Sequence, residues 1–329
     1  MFVQSRHSFL KVVAATPLLL AGLLPAGAAD QWPTQPIRLI VSSAPGGGAD
    51  SLARLVSHHV SMATKQPVIV ENRAGASGLL AANAVLAAPA NGTTFLFGFT
   101  TMAQLPATAT APLPFNVEHD FIPVSLVAKS SNVLMVSRET GVTSVAQLVN
   151  AVKTDPKQYS YGSYGNGSTG HFLGAQFAEV LQSNLTHIPY KGASLMLNDM
   201  LGGAVPIAFP DIGSAIPHMN SDRVRILAVT GDKRISSLPE VPTMEELGFK
   251  GFSLGAWFGV FAPKGTPAIA VQGFSEQITA ALAAPDVQAK LKGWNLEPVG
   301  SSPDSFAKFF SADIKGWTEL ARKANIRAE

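Results

Sequence analysis

Apolar residues in this chain follow two rhythms. Some fall in short β-rich runs, and others return every third or fourth position over longer stretches. Ile37–Ser43 has the first pattern and predicts a strand. A helix begins at about Asp50, with Leu52, Leu55, Val56 and Val60 on one face. A strand at Val68–Val70, a helix at Leu79–Ala88 and a strand at Thr93–Phe99 follow. This succession predicts a parallel sheet with crossover helices. After a proline-punctuated stretch from Pro106 to Pro123 the pattern restarts. Asn132–Val136, Tyr159–Ser163, Thr186–Pro189, Pro206–Phe209 and Val224–Thr230 predict strands, with a helix at Phe172–Leu181 among the segments between them. Trp257–Ala262 is a further β-rich run. The remainder is mainly helical, and its last helix opens at Ser302-Pro303 with Phe306, Phe310, Ile314 and Trp317 as the buried stripe. Two α/β sheets on one chain of 329 residues predict two lobes with a cleft between them. In such sheets ligands bind at the carboxyl ends of strands.

The first 29 residues break this pattern. Arg6, His7 and Lys11 precede an uncharged, mostly apolar run from Val12 to Leu24, and the small residues Ala26-Gly27-Ala28-Ala29 come before Asp30. That is the form of an export signal cleaved near Ala28–Asp30, and the run is short for a bilayer span. Two of the 24 Lys and Arg residues, Arg6 and Lys11, lie in it, which leaves 22 against 22 Asp and Glu in the body. A neutral body without basic runs gives no footprint for nucleic acid. Cysteine is absent, so disulfides, thiol chemistry and a lipid anchor on cysteine are excluded. The expected compartment is the periplasm.

Two glycine-rich loops occupy the ligand-binding position of an α/β sheet. The first is Ser42-Ser43-Ala44-Pro45-Gly46-Gly47-Gly48-Ala49-Asp50, and the second runs from Gly162 through Ser163, Tyr164, Gly165, Asn166, Gly167, Ser168 and Thr169 to Gly170 and His171. Each follows a predicted strand and opens a predicted helix. Glycines let successive N–H groups converge, and the helix terminus adds partial positive charge, so each loop suits an anion the size of a carboxylate. Either loop alone is equally a tight turn in which Asp50, or Ser168 or Thr169, caps the helix. Thr100, Thr101 and Asp211 also stand at predicted strand ends, where they can meet ligand hydroxyls, amines or bridging water, or simply form turns.

Enzyme motifs fit poorly. Gly165–Gly170 matches G-x-G-x-x-G, but the segment where a dinucleotide site wants an acid is His187-Ile188-Pro189-Tyr190-Lys191. Ser168 stands where a Walker A lysine belongs, and no G-x-S-x-G or H-E-x-x-H is present. His58 and His59 are adjacent in a helical pattern and do not share a face for metal chelation. No catalytic residue, metal or cofactor is expected. An exported α/β enzyme using a dinucleotide remains the alternative of a different class.

Several segments together resemble the substrate-binding proteins of tripartite tricarboxylate transporters, the Bug family. They are Trp32-Pro33 with Pro36-Ile37, Ala44–Asp50, Val70–Gly78, Asp120–Val124, Tyr161–His171, His187–Ala193, Leu238–Thr243 and Phe258–Pro267. The resemblance implies a two-lobed, periplasmic-binding-protein-like (type II) α/β fold with the ligand cleft between the lobes. One domain would combine residues 30–125 and 251–329, and residues 126–250 would form the other. It further implies capture of a small organic carboxylate by hinge closure, with the two glycine loops holding it through backbone N–H groups and ordered water. The implied partners are integral-membrane transporter subunits, with the receptor itself a monomer; service to a sensor kinase is the variant reading. Asn91-Gly92-Thr93-Thr94 departs from the family's usual Asp-Gly-Tyr-Thr turn, and Tyr164 and residues 209–214 fall at variable places that can face ligand.

Overall fold

The computed structural model of the protein describes Met1, Phe2 and residues 32–327. The export signal expected over residues 1–29 and its cleavage near Ala28–Asp30 lie outside the described residues, apart from Met1 and Phe2. The strands in chain order are β1 (Ile37–Val41), β2 (Val68–Asn72), β3 (Thr94–Phe99), β4 (Phe121–Ser130), β5 (Val133–Ser137), β6 (Ser160–Ser163), β7 (Thr186–Pro189), β8 (Ile207–Ala208), β9 (Val224–Val229), β10 (Ala256–Pro263) and β11 (Glu297–Pro298). The helices are α1 (Gly48–Thr64), α2 (Leu79–Leu86), α3 (Thr101–Thr108), α4 (Val145–Thr154), α5 (Thr169–Val180), α6 (Ala193–Leu201), α7 (Ile212–Ala215), α8 (Ala268–Leu282), α9 (Pro285–Gly293) and α10 (Pro303–Ala324).

These strands form two mixed sheets, ordered β11-β4-β10-β3-β1-β2 and β7-β6-β8-β5-β9. The predicted parallel crossovers are present: β1 pairs in parallel with both β2 and β3, and β6 with both β7 and β8. The returning strand β10 runs antiparallel between β3 and β4, which makes the first sheet mixed. The chain leaves the first sheet after Ser130 and enters the second at Val133. It returns between Val229 and Ala256. The expected boundary between residues 125 and 126 therefore falls inside β4, and the one between 250 and 251 falls in the connection before β10.

The proline-punctuated stretch conceals two elements. Helix α3 forms despite Pro106 because Met102, Ala103 and Leu105 are buried and hold it in place. Strand β4 accommodates Pro123 opposite Phe261, next to a register shift in its pairing with β10, and β11 reaches only Lys129 and Ala128 on its other side. Proline is tolerated at such irregular or open edges because no ladder N–H is required there.

Helix α10 behaves as its pattern predicts. The Ser302 hydroxyl accepts the Ser305 N–H at 3.3 Å, and Phe306, Phe310, Ile314 and Trp317 are buried. Each such side chain contributes about 1.5–3 kcal/mol on burial. Phe306 and Phe310 pack on Phe261 of the first sheet. Trp317 meets Phe172 of α5 edge-on at 4.9 Å, so the same helix also touches the second lobe.

Candidate functional site

Both glycine loops stand at carboxyl ends of strands, each leading into a helix as predicted. The first joins β1 to α1, and the second joins β6 to α5. Loop one is fastened from within by Asp50. Its carboxylate accepts the Gly46 N–H at 2.9 Å, Arg54 Nε at 3.0 Å and Asn72 Nδ2 at 2.9 Å. Asn72 also donates to the Ser43 carbonyl at 3.1 Å. The hydrogen bond from Arg54 is the main cause holding the Asp50 carboxyl down at about 2. Gly47 and Gly48 are exposed at the helix start, where the first N–H groups of a helix have no intrahelical partner.

Loop two rests on stacked rings. The imidazoles of His171 and His187 lie 3.8 Å apart and 10° from parallel, and Tyr161 stacks on His187 at 4.9 Å. His171 Nδ1 accepts the Gly167 N–H at 3.1 Å, and His187 Nε2 bonds with the Ser163 hydroxyl at 2.7 Å. Burial pushes both imidazoles down to about 4, with the His187 charge adding to the effect on His171. Both rings are therefore neutral near pH 7, as acceptance of the Gly167 N–H requires. The Ser168 hydroxyl caps α5 by accepting the His171 N–H at 3.3 Å. Asn166 is half-buried at the tip.

The two lobes meet beside loop two. Gln104 Nε2 of α3 donates to Thr169 Oγ1 at 3.1 Å, and both residues are buried. Asn132, fully buried at the crossing between the sheets, donates to the Phe209 carbonyl at 2.9 Å and to Tyr164 Oη at 3.3 Å. Burial, and then the charge of Asp211, push the Tyr164 phenol up to about 12.

Several side chains expected to touch ligand are bonded inside the protein. Thr100 is buried, and its hydroxyl accepts the Trp257 N–H at 2.8 Å, tying β3 to β10. Ser163 is buried between His187 and the Gly165 carbonyl. Asp211 caps the four-residue α7, accepting the Ser214 N–H at 2.9 Å and its hydroxyl at 2.7 Å. Ser42 donates to the Phe97 carbonyl at 3.3 Å, and Ser43 to Ala44. Thr101 differs: its Oγ1 is buried without a partner.

Thr101 lies beside a loop that the sequence pattern did not assign to the site. After β2, Gly75, Ala76, Ser77 and Gly78 all have positive φ (129°, 47°, 53° and 97°). Two consecutive non-glycine residues in that region carry strain of the kind held at functional sites. A Cβ on Gly78 would lie 3.6 Å from Ser42 Cβ and 3.7 Å from Thr101 Oγ1, so the backbone closes against both. The two glycines after a strand were the available signal. Gln104, Asn132 and His187 had none, because their partners are 24 to 77 residues away.

Two α/β lobes, joined by two crossings and carrying paired glycine loops at their strand ends, define a two-lobed solute-binding protein. Residues 52–326 match the family model described as the tripartite tricarboxylate transporter family receptor. A Pseudomonas sp. protein from the tcbD-tcbE intergenic region is 34% identical over 300 residues, covering 91% of this chain and 89% of that one. BugT of Bordetella pertussis is 30% identical and covers 93% and 94%. Among solved structures, R. palustris Rpa4515 with adipate is 33% identical with a TM-score of 0.79, covering 91% of this chain and all of that one. MatC of Rhodopseudomonas palustris with bound malate is 27% identical with a TM-score of 0.74, covering 88% and 99%. The chain belongs to the tripartite tricarboxylate transporter receptor family.

Proposed function

We propose that this protein is a periplasmic receptor that captures a small organic dicarboxylate between its lobes and presents it to the integral-membrane subunits of a tripartite tricarboxylate-type transporter. The observation that carries this reading is the pair of glycine loops, one on each sheet, each ending at a helix start. Two such loops, one on each sheet, suit a molecule with a carboxylate at either end when the lobes close on it. A charge-assisted hydrogen bond contributes about 1.5–3 kcal/mol. A few of them, less the cost of ordering, reach the roughly −8 kcal/mol of micromolar binding. Adipate and malate in the related structures support the class. The ligand contacts are the exposed N–H groups of Gly47 and Gly48 and the tip of loop two at Asn166, with Ser168, Thr169 and Thr101 beside them; the Gly46, Gly165 and Gly167 N–H groups are held within the loops by Asp50, Ser163 and His171 and fix their shape. Closure pivots on residues 131–132 and on the connection between β9 and β10. The reading requires no metal or cofactor, and the receptor acts as a monomer after removal of its export signal.

A thermal-shift and calorimetry panel of succinate, malate, adipate and citrate, with NAD as control, tests the class. Gly48→Val tests the place. Nothing lies within 4 Å of a Cβ there, and φ is ordinary, so the fold tolerates the side chain while the nest is blocked. Diacid binding is expected to vanish with the melting temperature of the unliganded protein unchanged. Undiminished affinity in Gly48→Val refutes the assignment of loop one, and a response to NAD alone refutes the class.

A further inference from the structure

A cavity of about 600 Å³ opens beside the crossings, and no residue of either glycine loop lines it. Its volume is that of a small-molecule pocket. Its walls include both crossings, Lys129–Ser131 and Ser253–Trp257 without Leu254, together with residues that follow β9 and residues around β11. We propose that it is a second binding site, for a monocarboxylic acid with an aromatic or apolar body.

The apolar part of the site is a corner made by Trp257 and Phe309, whose rings meet edge to face at 6.1 Å and 83°. That corner is rigid. Asp313, 5% exposed, accepts the indole N–H of Trp257 at 2.7 Å and that of Trp317 at 2.9 Å, which locks the Trp257 ring. A flat ring fits such a corner with little loss of freedom on either side.

The polar part is Lys129. Its ammonium lies 4.8 Å above the Phe309 ring, and the residue as a whole is half-buried. The other cations nearby are distinguished by their partners. Lys233 is paired with Glu297 at 2.7 Å and Arg234 with Glu246 at 2.8 Å. Lys129, and Lys292 on the exposed rim, have no carboxylate within ion-pair distance among the described residues. Of the acids lining the same space, Glu297 is spent on Lys233, Asp232 is exposed, and Asp313, near enough for its charge to interact with Lys129, accepts its hydrogen bonds from the indoles and forms no ion pair among the described residues. An ammonium over an aromatic face recruits an anion whose body can lie on that face.

The probe is 4-fluorobenzoate, followed by ¹⁹F NMR titration of the full-length chain. Saturable binding with Kd below about 1 mM is expected. Lys129→Met, which keeps the side-chain stem packed, should weaken it by about tenfold or more, and Lys292→Met by a smaller factor. Gly48→Val should leave it unchanged, so this site can fail or survive independently of the dicarboxylate cleft. 4-Fluorobenzylamine should neither bind nor compete. Urea midpoints of both lysine variants establish that they remain folded; Lys292 is at the rim and serves if Lys129→Met does not fold. Absence of saturation, indifference to both lysine substitutions, equal binding of the amine, or loss of the signal in Gly48→Val each overturns the proposal.

Discussion

The stacked imidazoles under loop two should make the protein lose stability in a defined acid window. His171 and His187 are pushed from 6.5 down to about 4. A ring held neutral by burial takes up its proton more weakly in the fold than in the unfolded chain. Its effect on stability is therefore absent above about pH 6.5, grows as pH falls, and levels off below about pH 4. At pH 5 a shift of this size costs about 2 kcal/mol per ring. Both rings keep part of their surface in water, and halving the figure for that screening leaves about 2 kcal/mol for the pair between pH 7 and pH 5.

Other groups must be separated from this slope. Asp313 acts in the opposite direction: burial lifts its carboxyl to about 6, so its penalty is present above pH 6 and is relieved as pH falls toward 3.8. Asp50, held at about 2, loses its contribution only below 3.8, outside the window. The comparison is therefore between the natural chain and the double variant His171→Asn with His187→Gln. The asparagine side chain can still accept the Gly167 N–H, and neither substituted position titrates. Urea unfolding at pH 7 and pH 5 should show the natural chain losing about 2 kcal/mol relative to the variant. In proton NMR, two imidazole resonances should stay neutral until near pH 4. A difference between the two proteins that is flat from pH 7 to pH 5, or two ordinary titrations near 6.5, refutes the reasoning.

Two further perturbations follow from the same geometry. Asp50→Ala leaves the Gly46 N–H and one donor of the Asn72 amide without their acceptor, and should cost about 1–3 kcal/mol in urea unfolding while weakening diacid binding measured by calorimetry. Asp313→Ala leaves two buried indole N–H groups without an acceptor and should cost about 2–5 kcal/mol, whereas Asp313→Asn, which retains an acceptor, should recover most of that in the same measurement.

Most of the fold was legible because its strands are apolar runs bounded by glycine, proline or polar turns, and its helices carry one buried face. The elements that were hidden have local reasons. Residues 106–123 carry prolines in a helix and a strand whose burial overrides propensity, as Met102 and Leu105 do for α3. The site was legible only as backbone. Glycine marks the turns, and the carboxyl ends of strands mark their place. What the side chains do there depends on partners far along the chain. Asp50 and Ser163 look alike as polar residues near a glycine loop, but each is consumed by an internal bond to a residue 22 or 24 positions away. The strained turn at Ala76 and Ser77 is carried by residues that do not advertise positive φ at all.

This division between backbone and side chain bears on selectivity. In loop one the acid is neutralised by Arg54, Asn72 and Gly46; in loop two the hydroxyls and imidazoles bond among themselves. Neither loop carries a lysine or arginine. On the proposed reading, the loops recognise only that an anion is present at each end. They do not distinguish one diacid from another. On that reading discrimination by length and shape falls to side chains rather than to the loop backbone, and Thr101, whose hydroxyl is buried without a partner, and Tyr164, bonded to Asn132, are the candidates. A scaffold divided in this way can exchange one diacid for another by changing such side chains while the fastening of the loops stays intact. This division predicts that substitutions at Thr101 or Tyr164 reorder affinities within the diacid panel, whereas Gly48→Val removes binding of every member. If Thr101→Ala and Tyr164→Phe instead lower all affinities equally, selectivity lies in the loops and the division is wrong.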